Sequence, residues 1–179
     1  VQYKCFSSNA FLTALELIDS KNPTYATSQV RAMRYMQEQN YEKAQPVLEK
    51  ALTLAENNVQ KAEIQMELAK VHANLGRKSA ARNAAKEAAN LDESKTKDAY
   101  SLIGGLYMNS FNDCRGGVSR VKDRSIYMAA YNAYQRAGDS QGMAQARAQF
   151  PSREEIFTEG LQVGGTINTG CWIGETVTL

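Results

Sequence analysis

Few residues in this chain have side chains that bind transition metals or pair as nucleophile and base. Its 179 residues include three cysteines, Cys5, Cys114 and Cys171, and a single histidine, His72. A tetrahedral zinc site would need all four, drawn from four distant parts of a chain that has no Cys-x-x-Cys spacing. We therefore predict no metal site and no cofactor.

The same residues argue against an enzyme. A cysteine–histidine pair would need His72 within hydrogen-bond reach of Cys114 or Cys171, far along the chain. There is no Ser-His-Asp set, no phosphate-binding glycine loop before a helix and no pair of carboxylates with a plausible cleft. We expect no catalytic residues and a non-catalytic protein.

The composition argues against a nucleic-acid-binding protein and against a membrane-spanning one. The 43% hydrophobic content supports a folded core, and 21 basic against 19 acidic residues leave a formal charge of +2. Because like charges form no long run, we expect no nucleic-acid partner. No apolar run reaches the roughly 18 residues of a membrane helix, so we expect no membrane span in this chain.

A spacing of 37 residues recurs along the chain. It relates Ala32 to Ala69 and Ala44 to Ala81, and also Leu48 to Ala85 and Ala51 to Ala88. Each unit reads as a small residue, a ring three positions later, and then Ala-x3-apolar-x2-Ala. This pattern predicts a helix, a turn and a second helix in which small residues let the helices approach closely.

A third unit follows and contains an insertion. Gly104 occupies the position of Ala69, and the second helix resumes at Ala130, Tyr134 and Ala137, about 14 residues later than in the other units. The added stretch, 110–123, reads "SFNDCRGGVSRVKD". We predict a surface loop that is either functional or simply tolerated. A partial unit opens the chain, with Phe11, Leu15 and Ile18 at the spacing of Ala44, Leu48 and Ala51.

The units resemble the tetratricopeptide repeat family, whose repeats are pairs of antiparallel helices. The resemblance implies an all-α fold, a right-handed solenoid of helix hairpins; a plain bundle with alanine-rich seams is the alternative. Ser28 and Gln65 stand where the family usually has an aromatic ring, so we expect weaker packing between units. The predicted boundaries are a repeat domain at 1–157 with a partial unit at 1–24, units at about 25–58, 62–94 and 97–138, an insertion near 110–123 and a capping helix at 140–150, followed by a β-like tail at 158–179.

The tail, "TINTGCWIGETVTL" at 166–179, predicts a small hairpin that turns at Gly174 and Glu175, with Trp172 and Ile173 as anchors. Upstream, Ser152 and Glu155 have the spacing of a capping box. The motifs "DRSIYMAAY", "FPSREEIFTEG" and "GCWIGET" resemble the carboxy-terminal part of Bacteroidetes cell-envelope proteins of this repeat family.

That resemblance implies a Cys114–Cys171 disulfide, with Cys5 left as the free thiol, and a location in the periplasm or cell envelope. Two unrelated buried thiols in a cytosolic protein are the alternative.

In this repeat family the first helix of each unit lines the inner face. The corresponding positions in this sequence are Gln29, Met33, Met36, Gln37, Met66, Lys70, Asn74, Ser101, Met108 and Asn109. Uncharged polar groups and methionines suit a peptide with apolar side chains. We therefore predict a scaffold for protein or peptide partners, unless these methionines are ordinary core residues. The alternative function is a structural capping or spacer module of a larger protein; the partner and the oligomeric state stay open.

Overall fold

The computed structural model describes residues 9–179, apart from the side chains of Asn9 and Leu12; Cys5 lies outside that range. The described chain is mostly helical, with one small antiparallel sheet near its end. The helices are α1 (Asn9–Lys21), α2 (Tyr25–Gln37), α3 (Tyr41–Leu54), α4 (Asn58–Asn74), α5 (Lys78–Leu91), α6 (Thr96–Met108), α7 (Phe111–Cys114), α8 (Arg120–Ala137), α9 (Ser140–Arg147) and α10 (Arg153–Thr158), with a 3-10 turn at Glu93–Lys95. The strands are β1 (Thr166–Asn168) and β2 (Thr176–Thr178), in which Ile167 pairs with Val177.

Polar side chains begin several of these helices. Asn57 accepts a hydrogen bond from a first-turn amide of α4, and Ser119 does the same for α8. Ser152 and Glu155 form the capping box that the sequence predicted, so α10 begins at Arg153. Gly138 ends α8 in the left-handed conformation, which only glycine adopts without strain.

The buried residues of the core follow the 37-residue spacing found in the sequence. Consecutive long helices pack on one another, α2 on α3, α3 on α4, α4 on α5, α5 on α6 and α6 on α8. The aligned small residues Ala32, Ala44, Ala51, Ala69, Ala81 and Ala88 are all fully buried. In the partial unit Leu15 is buried, but Ile18 is 54% exposed because α1 packs chiefly against α2.

The predicted insertion is only partly a loop. Its first residues form the short helix α7, and its last four belong to the first turn of α8, where Val121 is fully buried. The irregular part is residues 115–119. The Asp123 carboxylate accepts hydrogen bonds from the amides of Gly116 and Gly117, which ties this turn to α8.

The tail forms a sheet, but the predicted turn at Gly174 and Glu175 is wrong. The strands are joined by residues 169–175, and Ile173 lies in this connection with only 2% of its surface exposed. The connection is not a tight hairpin turn. Its backbone changes direction at Gly170 and Cys171, which both have positive φ. Cys171 and Cys114 lie at disulfide distance, as the predicted pair.

Candidate functional site

Side chains of helices α2 and α4 meet at two places. Near their first turns the Tyr25 hydroxyl donates to the Glu63 carboxylate at 2.8 Å. Burial and the Glu63 charge raise the pKa of Tyr25 to about 12, so the hydroxyl keeps its proton and the bond persists at neutral pH. Toward the ends of the helices, Met36 faces Lys70 across a shared depression.

This depression is the part of the predicted partner surface that the fold assembles. Its volume is about 340 Å³, and Met33, Met36 and Gln37 from α2 line it together with Glu67 and Lys70 from α4. Met33 is 46% exposed, and the Lys70 ammonium donates to Glu67 at 2.9 Å. The surface thus combines one exposed methionine, one half-buried methionine and a neutralised ion pair, which suits an apolar segment with polar flanks.

The remaining predicted residues lie elsewhere. Met66 is 6% exposed and belongs to the core, so its side chain does not reach a partner surface. Met108 is half-buried and packs against the same core. Met36 is likewise half-buried and packs against this core, so Met33 is the one exposed methionine among the four predicted positions. The others range from half-buried to exposed without lining the depression: Gln29, Asn74, Ser101 and Asn109.

Sequence reasoning missed Glu67 and, more importantly, the surface that receives the tail. Arg82 of α5 donates to the carbonyl oxygens of Trp172 at 3.1 Å and Ile173 at 2.7 Å. Its guanidinium also lies 5.5 Å from the Trp172 ring centroid, and the Tyr107 ring packs at 5.5 Å from the same indole. Tail and helices are therefore joined by a cation–π contact, an aromatic pair and two hydrogen bonds.

A second set of polar contacts holds the tail at Glu175. Lys86 of α5 donates to the Glu175 carboxylate at 3.0 Å, and the Tyr107 hydroxyl donates to the same oxygen at 3.1 Å. Burial opposes ionisation of Glu175, but these donors outweigh it and lower its pKa. Burial and the Glu175 charge raise the pKa of Tyr107, which stays a donor.

His72 offers no support for catalysis. It is half-buried at the end of α4, where burial and the Arg77 charge lower its pKa against the opposing effect of Glu49. Its Nδ1 is buried without a hydrogen-bond partner among the described residues. A neutral imidazole in this half-buried position packs against its neighbours as an aromatic ring would, which agrees with the ring expected at this position of the unit.

Neither a cluster of metal-binding side chains nor a membrane-spanning helix occurs in residues 9–179. No group of three or more histidine, cysteine, aspartate or glutamate side chains in this range is arranged to hold a metal ion. None of its helices combines the length and apolar character that a membrane crossing requires.

Comparison with known proteins adds no assignment. No protein-family model matches this chain, and no curated protein matches it with significance.

Proposed function

We propose that this chain is a tetratricopeptide-like solenoid of helix hairpins that binds protein or peptide segments and carries out no catalysis. The partner lies across the depression between α2 and α4. The observation that carries the proposal is the 46% exposure of Met33 beside Met36, on a surface made by the first helices of two consecutive units.

The solenoid part of the proposal is supported by how the units are related. The Tyr25–Glu63 bond and the shared depression make α2 and α4 parallel neighbours. On the other side, Arg77 at the start of α5 contacts Glu42 in the first turn of α3 at 3.3 Å, so the second helices are related in the same way. Equivalent helices that lie parallel are what stacking of hairpin repeats produces.

The proposed peptide ligand follows from the chemistry of the depression. A methionine side chain is flexible and polarisable, and it adapts to different apolar partners. Because Glu67 already neutralises Lys70, the surface has no strong preference for one sign of charge. The peptide that fits best inserts an apolar residue between Met33 and Met36. Its neighbouring residues are polar and lie over Gln37.

An extracytoplasmic location, in the periplasm or cell envelope, belongs to the same proposal. The Cys114–Cys171 pair supports it, because disulfides persist in oxidising compartments and are rare in the cytosol.

The test is selection of peptides from a random displayed library on the intact protein, followed by affinity measurement on variants. We expect Met33→Glu to weaken the selected peptides at least about tenfold, because a charge would be desolvated at the contact. The matched control is Val59→Glu, at a 54% exposed apolar residue of α4 that does not line the depression. Equal affinity for both variants, or no enrichment over a blank surface, would contradict the proposal.

A structural capping or spacer module is the second candidate. The burial of Met66 and the half-buried positions of Met36 and Met108 favour it, because three of the four predicted methionines pack against the core of the chain. The same selection separates the candidates, since a spacer enriches no peptides that depend on Met33.

A further inference from the structure

A cavity of about 210 Å³ lies between α5, α6, α8 and the docked tail, away from the α2–α4 depression. Its apolar lining comes from Ile103, Ala129 and Ala133, and Ile103 is only 1% exposed. Lys86, Arg136 and Asn132 bring polar groups to it. Glu175 and Thr176 of the tail supply one side, so the docked tail forms one wall of the cavity.

The charges around this cavity do not balance. Lys86 is paired with Glu175 at 3.0 Å. The Arg136 guanidinium instead stacks on the Tyr100 ring, 4.2 Å from its centroid, and no carboxylate within residues 9–179 is paired with it. Two cations against one carboxylate leave about one unit of positive charge beside a cavity that polar and apolar side chains line together.

Arg136 is also held in a position suited to a ligand. Stacking on Tyr100 fixes the plane of the guanidinium and leaves its N–H groups free to donate at the edge. The Asn132 side chain, one helical turn away on α8, is exposed and has no hydrogen-bond partner in the described chain. Together they provide N–H donors for a planar acceptor such as a carboxylate, with the Arg136 guanidinium held in place by Tyr100.

We propose that this cavity binds a small monocarboxylate with an apolar body. The carboxylate pairs with Arg136 and accepts from Asn132, while the apolar part contacts Ile103, Ala129 and Ala133. Inorganic phosphate fits less well, because Glu175 repels a second negative charge and the apolar lining would stay unfilled.

The experiment titrates the intact, disulfide-bonded protein with propanoate, 3-methylbutanoate and 3-phenylpropanoate, and follows the backbone amides by two-dimensional NMR. The matched neutral probe for each acid is its primary amide, which has the same shape without the charge. We expect the amide signals of Asn132, Ala133 and Arg136 to shift with millimolar dissociation constants for the best acid. The corresponding amide should bind about tenfold more weakly, because it lacks the charge-assisted bond.

Two variants test whether Arg136 causes the preference for the acid over its amide. Arg136→Gln should remove the preference for the acid over its amide, whereas Arg147→Gln, at an exposed arginine of α9 outside the cavity, should retain it. The proposal is overturned if none of the three acids shifts the cavity amides, if acid and amide bind equally, or if Arg136→Gln still prefers the acid. None of these outcomes bears on the α2–α4 depression.

Discussion

At the scale of single residues, the large Tyr134 side chain of the third unit fits because two residues that it contacts are glycines, which have no side chain. Tyr134 stands where the first two units have Leu48 and Ala85, and it is 8% exposed. Its ring lies against Gly104 on α6 and Gly142 on α9; a Cβ added at either glycine would approach within 2.6 Å or 2.5 Å of the ring. Because packed interiors have little free volume, the glycines are required by the tyrosine rather than by backbone conformation.

Gly104→Ala should therefore destabilise the protein despite the better helix propensity of alanine. We expect a loss of about 1–3 kcal/mol in the free energy of unfolding, measured by urea titration, because the ring cannot move away from a Cβ at 2.6 Å. Adding Tyr134→Leu, the side chain of the first unit, should recover part of that loss in a double-mutant cycle.

The control lies one residue further along the helix. A Cβ added at Gly105 would have its nearest neighbour, the Tyr134 hydroxyl, at 3.9 Å, an ordinary contact distance. Gly105→Ala should be neutral or stabilising by up to about 1 kcal/mol. Equal effects of the two alanines would show that propensity rather than the ring decides.

At the scale of elements, a buried carboxylate joins α1 to α2. Asp19 accepts hydrogen bonds from Ser28 at 2.7 Å and Thr27 at 2.9 Å, and it forms an ion pair with Arg31 at 2.9 Å. Ser28 stands where the repeat family usually has an aromatic ring. Here the hydroxyl and a carboxylate from the preceding helix make a polar contact instead, so α1 is held on α2 through one charged group.

This contact should make stability depend on pH. Burial opposes ionisation of Asp19, but the bonds from Ser28, Arg31 and Thr27 outweigh it and lower its pKa. The stabilisation is thus complete above the unfolded-state pKa of about 3.9 and is lost as the pH falls through the lower folded-state value. Asp19→Asn should cost about 1–3 kcal/mol at pH 7.

The measurement is the free energy of unfolding of wild type and Asp19→Asn across pH. Their difference should stay constant from about pH 7 to 5 and shrink below about pH 4. Glu87→Gln, at an exposed residue of α5, serves as the control and should change little at any pH. A difference that persists unchanged at low pH would mean that ionised Asp19 is not the stabilising form.

At the scale of the whole molecule, the tail connects parts of the chain that the repeat leaves separate. It contacts α5 through Arg82 and Lys86, α6 through Tyr107 and the insertion through Cys114. Ile173 and Val177 join the main core. The tail is thus tied to the second and third units by a disulfide, charged contacts and burial.

The disulfide should account for a large part of the stability. Cys114 and Cys171 are separated by 57 residues, and closing a loop of that size stabilises by roughly 4 kcal/mol on the chain-entropy estimate. The double variant Cys114→Ser, Cys171→Ser should lose a comparable amount in urea titration. Its tail amides should also exchange faster with solvent, since a two-stranded hairpin is marginal alone.

Alkylation of the denatured, unreduced protein, followed by peptide mapping, tests the bond directly. We expect one free thiol, at Cys5, and a linked peptide pair containing Cys114 and Cys171. Three alkylated thiols in protein purified under oxidising conditions would remove both the bond and the main support for an extracytoplasmic location.

The candidate site could be predicted only in part. The resemblance to the repeat family pointed to Met33, Met36, Gln37 and Lys70, which line one depression together with Glu67. It failed at Met66 because α4 is buried on several sides, as Ile64, Leu68 and Val71 show, so its apolar pattern does not distinguish core from partner surface. The cavity beside Arg136 left no signal in the sequence.

The sequence by itself determined the helices, their small-residue contacts and the strand character of the tail, because these depend on spacing within one or two turns and on local propensity. Only the tertiary structure decided where the tail lies and what it encloses. Arg82 meets Trp172 and Ile173, and Lys86 meets Glu175, across 89 to 91 residues of chain. Contacts at such separation follow from the packing of the whole chain, and no local period records them.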